Sequence, residues 1–563
     1  MNTTAHINKE APVSAMGMGL LRVFLIIWAA TFLLYLPAAN AGMVGDFPYW
    51  LRSIRTHSFW GYMSDKEVPS LYQFTQFTSY IFYQLFGTHP WPWHLLFITL
   101  HATNAVLLYQ LLRNLFSSSG IKQSCPIAFA AVLLYTASPH LSETIVWEPS
   151  YHFLLAPLCI FSILILLQKF IKLPRPKYAI GAAVIYFLSS YSLEFFYLTP
   201  WIILFVILYY RYVVQVSGAA TRKALLCFFV PALLLFVAHW LVLQLVFHMM
   251  VSHYGSLSFH NVYYYLSKPL KYLFHILCFG RFFSHDIKMK VYELCEKKKV
   301  IIAAYGLLSI ATGIVLLRLR QTNRKVTLAL LCAGFALMML LFLSPLDFPD
   351  LFLVSLDRYV YLPAAFIFAA LVLLLSLIPS RAVTFSIVGL YALVNVYFTL
   401  KVNNYWKDSA GVVKGMLNSF PDPGNKTVIM LNLPECLNGI PMIDAQPTHR
   451  FKLMMNMLTT RHINNTVYDA VAYNMLTAAD GAHVTVTSDS TLKVTLNQWG
   501  TWWFYSRLGA GSYETPDYKV NMTDPGHWYE LVLKHPAAGY LLLYQVGNKL
   551  KAVNMTNKTT DQD

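Results

Sequence analysis

Runs of about 20 apolar residues recur along the first four hundred positions, near 20–38, 93–113, 126–141, 150–168, 178–194, 196–212, 224–249, 300–317, 326–345, 359–378 and 382–400. A helix of that length crosses the ~30 Å hydrocarbon core of a bilayer, so the pattern predicts about eleven spanning helices. Past Leu400 the period changes. Pro421-Asp422-Pro423-Gly424 marks a turn, and His483-Val484-Thr485-Val486-Thr487 and Leu492-Lys493-Val494-Thr495-Leu496 alternate as half-buried strands do. The fold class expected is an α-helical integral membrane protein with a C-terminal, mainly β extracytoplasmic domain. Its parts are a cytoplasmic tail over 1–19, a multi-pass region over 20–401 and the β domain over 402–563.

Composition narrows the class. Charged residues make up 12% of the chain, about half the share in a soluble protein, so an ordinary water-soluble enzyme is excluded. The net charge of +16 would suit nucleic acid on a soluble protein, but here the basic residues fall in short loops between apolar runs. Topology and anionic headgroups account for them better, and no nucleic-acid partner is expected. The seven cysteines are scattered without a CxxC pair, which supports neither a disulfide framework nor a zinc site. The Asn-x-Thr sites at Asn425, Asn464, Asn521, Asn554 and Asn557 are glycosylation acceptors only in a eukaryotic cell.

Lysine and arginine orient the spans. Arg113 and Lys122, then Lys169, Lys172, Arg175 and Lys177, then Arg211, Arg222 and Lys223, then Arg318, Arg320, Arg324 and Lys325 mark one set of loops as cytoplasmic, while the alternate loops around 142–149, 195 and 346–357 carry none. The N-terminus is then inside and the β domain outside. The long stretch 250–299 is outside by this count yet basic, with Lys268, Lys271, Arg281, Lys288 and Lys290. It reads either as an amphipathic segment facing headgroups or as a cationic wall for a lipid phosphate.

Ionisable groups at membrane depth are costly and mark function by default. Asp46 follows the first span, Glu143 and Glu148 the third, and Glu194 ends the fifth. Asp347 and Asp350 follow the ninth, and Asp357-Arg358-Tyr359 opens the tenth. All fall on the outer side. His94, His101 and Asn104 share one face of the second helix at spacings of seven and three, a pattern equally suited to an interhelical hydrogen-bonded contact. The histidines His239, His248, His253, His275 and His285 are too irregularly spaced to read as metal ligands.

Four stretches carry a family resemblance: Val44-Gly45-Asp46-Phe47; Trp93-His94-Leu95-Leu96 running into Leu100-His101-Ala102-Thr103-Asn104-Ala105; Ser138-Pro139-His140 through Glu143 to Trp147; and Asp357-Arg358-Tyr359-Val360-Tyr361-Leu362-Pro363, followed by Asn404-Tyr405-Trp406-Lys407-Asp408. In order and spacing, over roughly residues 20–410, the chain resembles the GT-C-fold membrane glycosyltransferases, closest to the protein O-mannosyltransferase-like proteins with tetratricopeptide repeats and their bacterial relatives. It departs from them at Phe47, where a second acidic residue is usual, at Val68-Pro69-Ser70-Leu71, where a Tyr-Arg-Pro triplet is usual, and in having no tetratricopeptide repeats.

The resemblance implies a glycosyltransferase (hexosyltransferase) that takes a sugar, with inversion, from a polyprenyl-phosphate donor to an acceptor hydroxyl on a protein or glycolipid. Asp46 would be the catalytic base and Glu143 would position the acceptor or bind a divalent cation, magnesium or manganese. Arg358, with Lys268, Lys271 and Arg281, would hold the donor phosphate. His94, His101, Glu194, Asp357 and Tyr361 would position substrate. A bacterial inner membrane is the expected home, or the endoplasmic reticulum in a eukaryote. Other readings stay open on the residues alone: a transporter or flippase of a lipid-linked or anionic solute, which would need paired halves and interrupted helices, an enzyme of the O-antigen polymerase or ligase kind, and a non-catalytic scaffold displaying the β domain.

Overall fold

The computed structural model describes residues 19–64, 72–192, 194–248, 261–318, 323–344, 357–443, 450–496, 501–502, 512–524 and 527–555. Val68, Pro69, Ser70 and Leu71 of the departure noted above, together with His253, Asp347, Asp350 and Asn557, lie outside these residues.

The protein is a multi-pass membrane protein. Among the described residues nine helices are long and apolar enough to span a bilayer, or ten when a bent pair is taken as one span. Two of the eleven predicted spans are altered. The run at 178–194 forms only the 14-residue helix Pro176–Ser189. At 1.5 Å per residue that is about 21 Å, short of the hydrocarbon core. The run at 126–141 breaks after Thr136, and Pro139–Val146 leaves it at 60°. Pro139 is the cause: the residue before a proline is pushed out of the helical region, and Ser138 sits extended at φ −68°, ψ 128°. The bend turns His140 and Glu143 into the protein, where both are buried.

The last long helix, Arg381–Ser419, has 39 residues, about 58 Å at the helical rise. It therefore continues well past the boundary expected at 401, and the first strand begins at Thr427. Its polar stripe Asn395, Thr399, Asn403 and Ser409 is buried at the spacing of one helical face, and it pins the bend. Thr399 Oγ1 donates to the Ala137 carbonyl at 2.7 Å, Ser142 Oγ donates to Asn403 Oδ1 at 2.6 Å, and Asn403 Nδ2 donates to the Leu34 carbonyl at 2.9 Å. Away from water such bonds hold helices together where apolar contact alone discriminates poorly.

The C-terminal domain is strand-rich. Thr427–Met430 lies between Tyr540–Val546 and Val467–Asp469, parallel to both, with Lys549–Ala552 at the edge. Leu433–Leu437 and Ala472–Met475 continue two of these strands into a second sheet as another parallel pair. The alternating runs noted above form the hairpin Ala482–Ser488 and Thr491–Leu496 in a five-stranded antiparallel sheet. The domain seats on the end of the long helix, where the Leu550 amide donates to Ser419 Oγ at 2.9 Å.

Candidate functional site

The first loop runs through left-handed backbone. Gly42 has φ 104° and Gly45 φ 61°, and Met43 between them is at φ 60°. Three bonds hold this loop. Glu148 Oε2 accepts the Met43 amide at 2.9 Å, Trp147 Nε1 donates to the Val44 carbonyl at 2.9 Å, and the Gly45 amide donates to the Met442 carbonyl of the C-terminal domain at 2.8 Å. Asp46 follows and opens the helix Phe47–Thr56. Its carbonyl accepts from the Trp50 amide at 3.1 Å, while its carboxylate makes no capping bond and is exposed.

The bent segment and the short turn Asp357–Val360 supply the next layer. Asp357 and Arg358 are neighbours in sequence but serve different partners. The Asp357 carboxylate is fully buried: Oδ1 takes His275 Nε2 at 2.7 Å and His140 Nδ1 at 3.2 Å, and Oδ2 takes Arg281 Nη1 at 2.6 Å. Arg358 binds Glu143 twice, through Nη1 to Oε1 and through its amide to Oε2 at 2.9 Å. Its guanidinium also lies over the rings of Trp147 at 5.2 Å and Tyr359 at 5.0 Å, a cation–π arrangement that fixes the planar fork. Trp147 thus touches Arg358 with its face and the Asp46 loop with its nitrogen.

The basic stretch contributes the helix Val262–Leu277. Lys268, Lys271 and His275 recur at i, i+3 and i+7, one helical face, and all three are buried. Of the two readings of residues 250–299, the charged face of this helix turns into the protein rather than toward headgroups. Lys271 Nζ meets Glu296 Oε1 at 2.7 Å, and Lys268 lies over the Tyr264 ring at 4.6 Å. The spacing of the histidines along the chain does not single out His275, yet it is in the cluster. Its period matches the two lysines of its own helix, which is the signal that would have found it. Burial, reinforced by the neighbouring His140, pushes its imidazole down to about 4. His275 is therefore neutral at neutral pH, and Arg281 is the fixed positive charge beside Asp357.

The structure thus brings Glu143, Asp357, Arg358 and Arg281 together and ties the Asp46 loop to them through Trp147. The others sit elsewhere. His94 Nε2 bonds the Tyr35 carbonyl at 3.0 Å, and His101 Nδ1 bonds the Tyr361 hydroxyl at 2.6 Å, with Asn104 Nδ2 donating to that oxygen at 3.3 Å. These are interhelical contacts inside the bundle. Glu194 accepts from the Tyr72 hydroxyl.

Glu143, read from the resemblance as a group that positions the acceptor or binds a divalent cation, has both carboxylate oxygens engaged by Arg358. Among the described residues the set able to surround an ion is His140, His275 and Asp357, whose ligand atoms lie within 4.8 Å of one another. Two imidazoles and a carboxylate are a transition-metal donor set. Arg281 counts against it as it stands, because its guanidinium already neutralises the one carboxylate and would sit beside the ion.

No protein-family profile matches the sequence, and no curated protein does. Among solved structures the chain is similar to the crystal structure of ArnT from Cupriavidus metallidurans in the apo state, at 15% identity over 78% of this chain and 83% of that one, with a TM-score of 0.31. A likeness that distant carries no argument about the chemistry, which rests on the site itself.

Proposed function

We propose that the protein is a GT-C-type membrane glycosyltransferase that moves a sugar from a polyprenyl-phosphate donor to an acceptor hydroxyl at the outer face, in a bacterial inner membrane. The observation that carries the reading is an exposed carboxylate, Asp46, near two arginines, the buried Arg281 and the partly buried Arg358, each aimed by its own carboxylate, with Arg358 linked to the Asp46 loop through Trp147.

The chemistry follows from that arrangement. An acceptor hydroxyl is a weak nucleophile until a base shares its proton, and a carboxylate within hydrogen-bond reach does so. Asp46 takes the proton as the acceptor oxygen attacks the anomeric carbon from the side opposite the phosphate. The bond from that carbon to the phosphate oxygen breaks, its electron pair leaves with the polyprenyl phosphate, and the configuration inverts. The leaving group departs as an anion and needs positive charge rather than an acid. Arg281 and Arg358, with Lys268 and Lys271 on the buried face of the helix Val262–Leu277, supply that charge. Glu143 and Asp357 hold the two guanidiniums in place and act as positioning residues. The acceptor is a protein or glycolipid hydroxyl, and no step requires a metal ion.

The test is transfer of radiolabelled sugar from a panel of polyprenyl-phosphate donors to membrane extract, wild type against Asp46→Asn. The variant is expected to lose about a hundredfold or more while staying folded, as removal of a general base does. Equal activity in both proteins would remove Asp46 from the role. Failure of wild type on every donor, together with movement of the lipid between leaflets, would turn the reading to a flippase.

A further inference from the structure

The C-terminal domain sends a hairpin into the site, Leu433–Leu437 with Ile440–Pro441. Its two-residue turn is Asn438-Gly439, both left-handed at φ 48° and φ 78°. Asn-Gly at positive φ is the tight turn whose twist matches paired strands, and it fixes what the tip presents. The tip is braced from behind, with the Asn438 amide on the Met475 carbonyl at 2.9 Å and Asn438 Nδ2 on the Leu476 carbonyl at 2.6 Å.

In front, the hairpin touches both halves of the site. The Asn438 carbonyl accepts from Arg281 Nη2 at 2.8 Å, while Nη1 of the same guanidinium holds Asp357 at 2.6 Å. The Met442 carbonyl, just past the second strand, accepts the Gly45 amide at 2.8 Å, one residue before Asp46. The approach at Gly45 is close: a Cβ there would lie 3.3 Å from Pro441 Cβ and 3.2 Å from Trp147 Cζ2. The neighbours Leu437, Ile440, Met442 and Ile443 are buried.

We infer that this hairpin is a positioning element of the active centre, a clamp through which the exported domain sets the base loop of Asp46 relative to the phosphate-holding Arg281. The inference rests on the transferase reading above. Both contacts are made by backbone carbonyls, so the handedness of the turn sets them, with the Asn438 side chain bracing it from behind. An acceptor that shifts the C-terminal domain would, through this clamp, move base and cation together.

The experiment compares Gly439→Asn, which tolerates positive φ, with Gly439→Val, whose branched side chain does not. Two readouts are taken on the full-length protein: kcat for transfer, and hydrogen exchange of the amides from Gly45 to Phe47. The expected result is that Gly439→Val lowers kcat at least tenfold and speeds exchange of the Gly45 amide at least tenfold, with the Thr491–Leu496 amides unchanged. Gly439→Asn stays within about threefold of wild type in both. Unchanged Gly45 exchange in Gly439→Val, or equal losses in the two variants, would overturn the clamp. Should the wild type transfer no sugar, the exchange measurement still decides the clamp while the transferase reading falls separately.

Discussion

Arg281 reaches Asp357 at 2.6 Å in a setting where both side chains are almost wholly buried. Charges in that position depend on each other, because a lone buried ion loses its hydration with nothing in return. Arg281→Ala is expected to destabilise the protein by about 3–5 kcal/mol, read as a lower unfolding temperature in detergent. Adding Asp357→Asn should recover much of that loss without restoring transfer. An Arg281→Ala protein as stable as wild type would show the pair to be unimportant to the fold.

The first loop tests the same logic through backbone. A Cβ on Gly42 would lie 2.1 Å from Glu148 Oε1, and the residue is at φ 104°, a conformation that side chains resist. Gly42→Ala must push Glu148 off the Met43 amide and displace the loop that bears Asp46. A loss of transfer of roughly tenfold or more is expected. Glu148→Gln, which keeps an accepting oxygen for that amide, should retain most of the rate.

Chelation separates electrostatic catalysis by arginine from metal catalysis. With Glu143 engaged by Arg358 and Asp357 by Arg281, dialysis against EDTA should leave transfer within about twofold of the untreated enzyme. A loss restored by manganese or zinc would assign His140, His275 and Asp357 to an ion and displace Arg281 from its partner.

The C-terminal domain carries a pH signature of its own. Asp469 is buried, neither carboxylate oxygen has a hydrogen-bond partner among the described residues, and burial pushes its carboxyl up to about 7. The unfolded chain releases that proton near pH 3.9. Between about pH 4 and 7 the folded state therefore binds more protons, and stability falls as pH rises through 7. The unfolding temperature should drop from pH 5 to pH 8, and Asp469→Asn should flatten that slope. A variant with the wild-type slope would assign the dependence to another group.

Much of this was readable in the chain, for reasons that are physical. The bilayer imposes one length on every span, so the apolar runs stand out, as do the alternating strands at 482–488 and 491–496. Glu143, Asp357 and Arg358, expected on one side, lie together, whereas Glu194, expected on that side too, accepts from Tyr72 instead. The short helix Pro176–Ser189 and the break at Pro139 were harder, because hydropathy is blind to where a helix stops. His275 was obscured by comparison with histidines on other elements, although its spacing from Lys268 and Lys271 was in view. The hairpin had a local signal in Asn438-Gly439, but nothing in sequence says that a turn in the C-terminal domain will touch Gly45.

That last contact has a consequence for how the protein is made. Gly45 leaves the ribosome early and Met442 late, and the same two regions are joined again where Arg55 Nη1 donates to the Met457 carbonyl, 402 residues away. The membrane helices can insert as they are synthesised, yet the contact on the loop that carries Asp46 forms only when the C-terminal domain folds down upon it. A chain cut short before Met442 would insert its helices and never make the contact that holds the Gly45 amide.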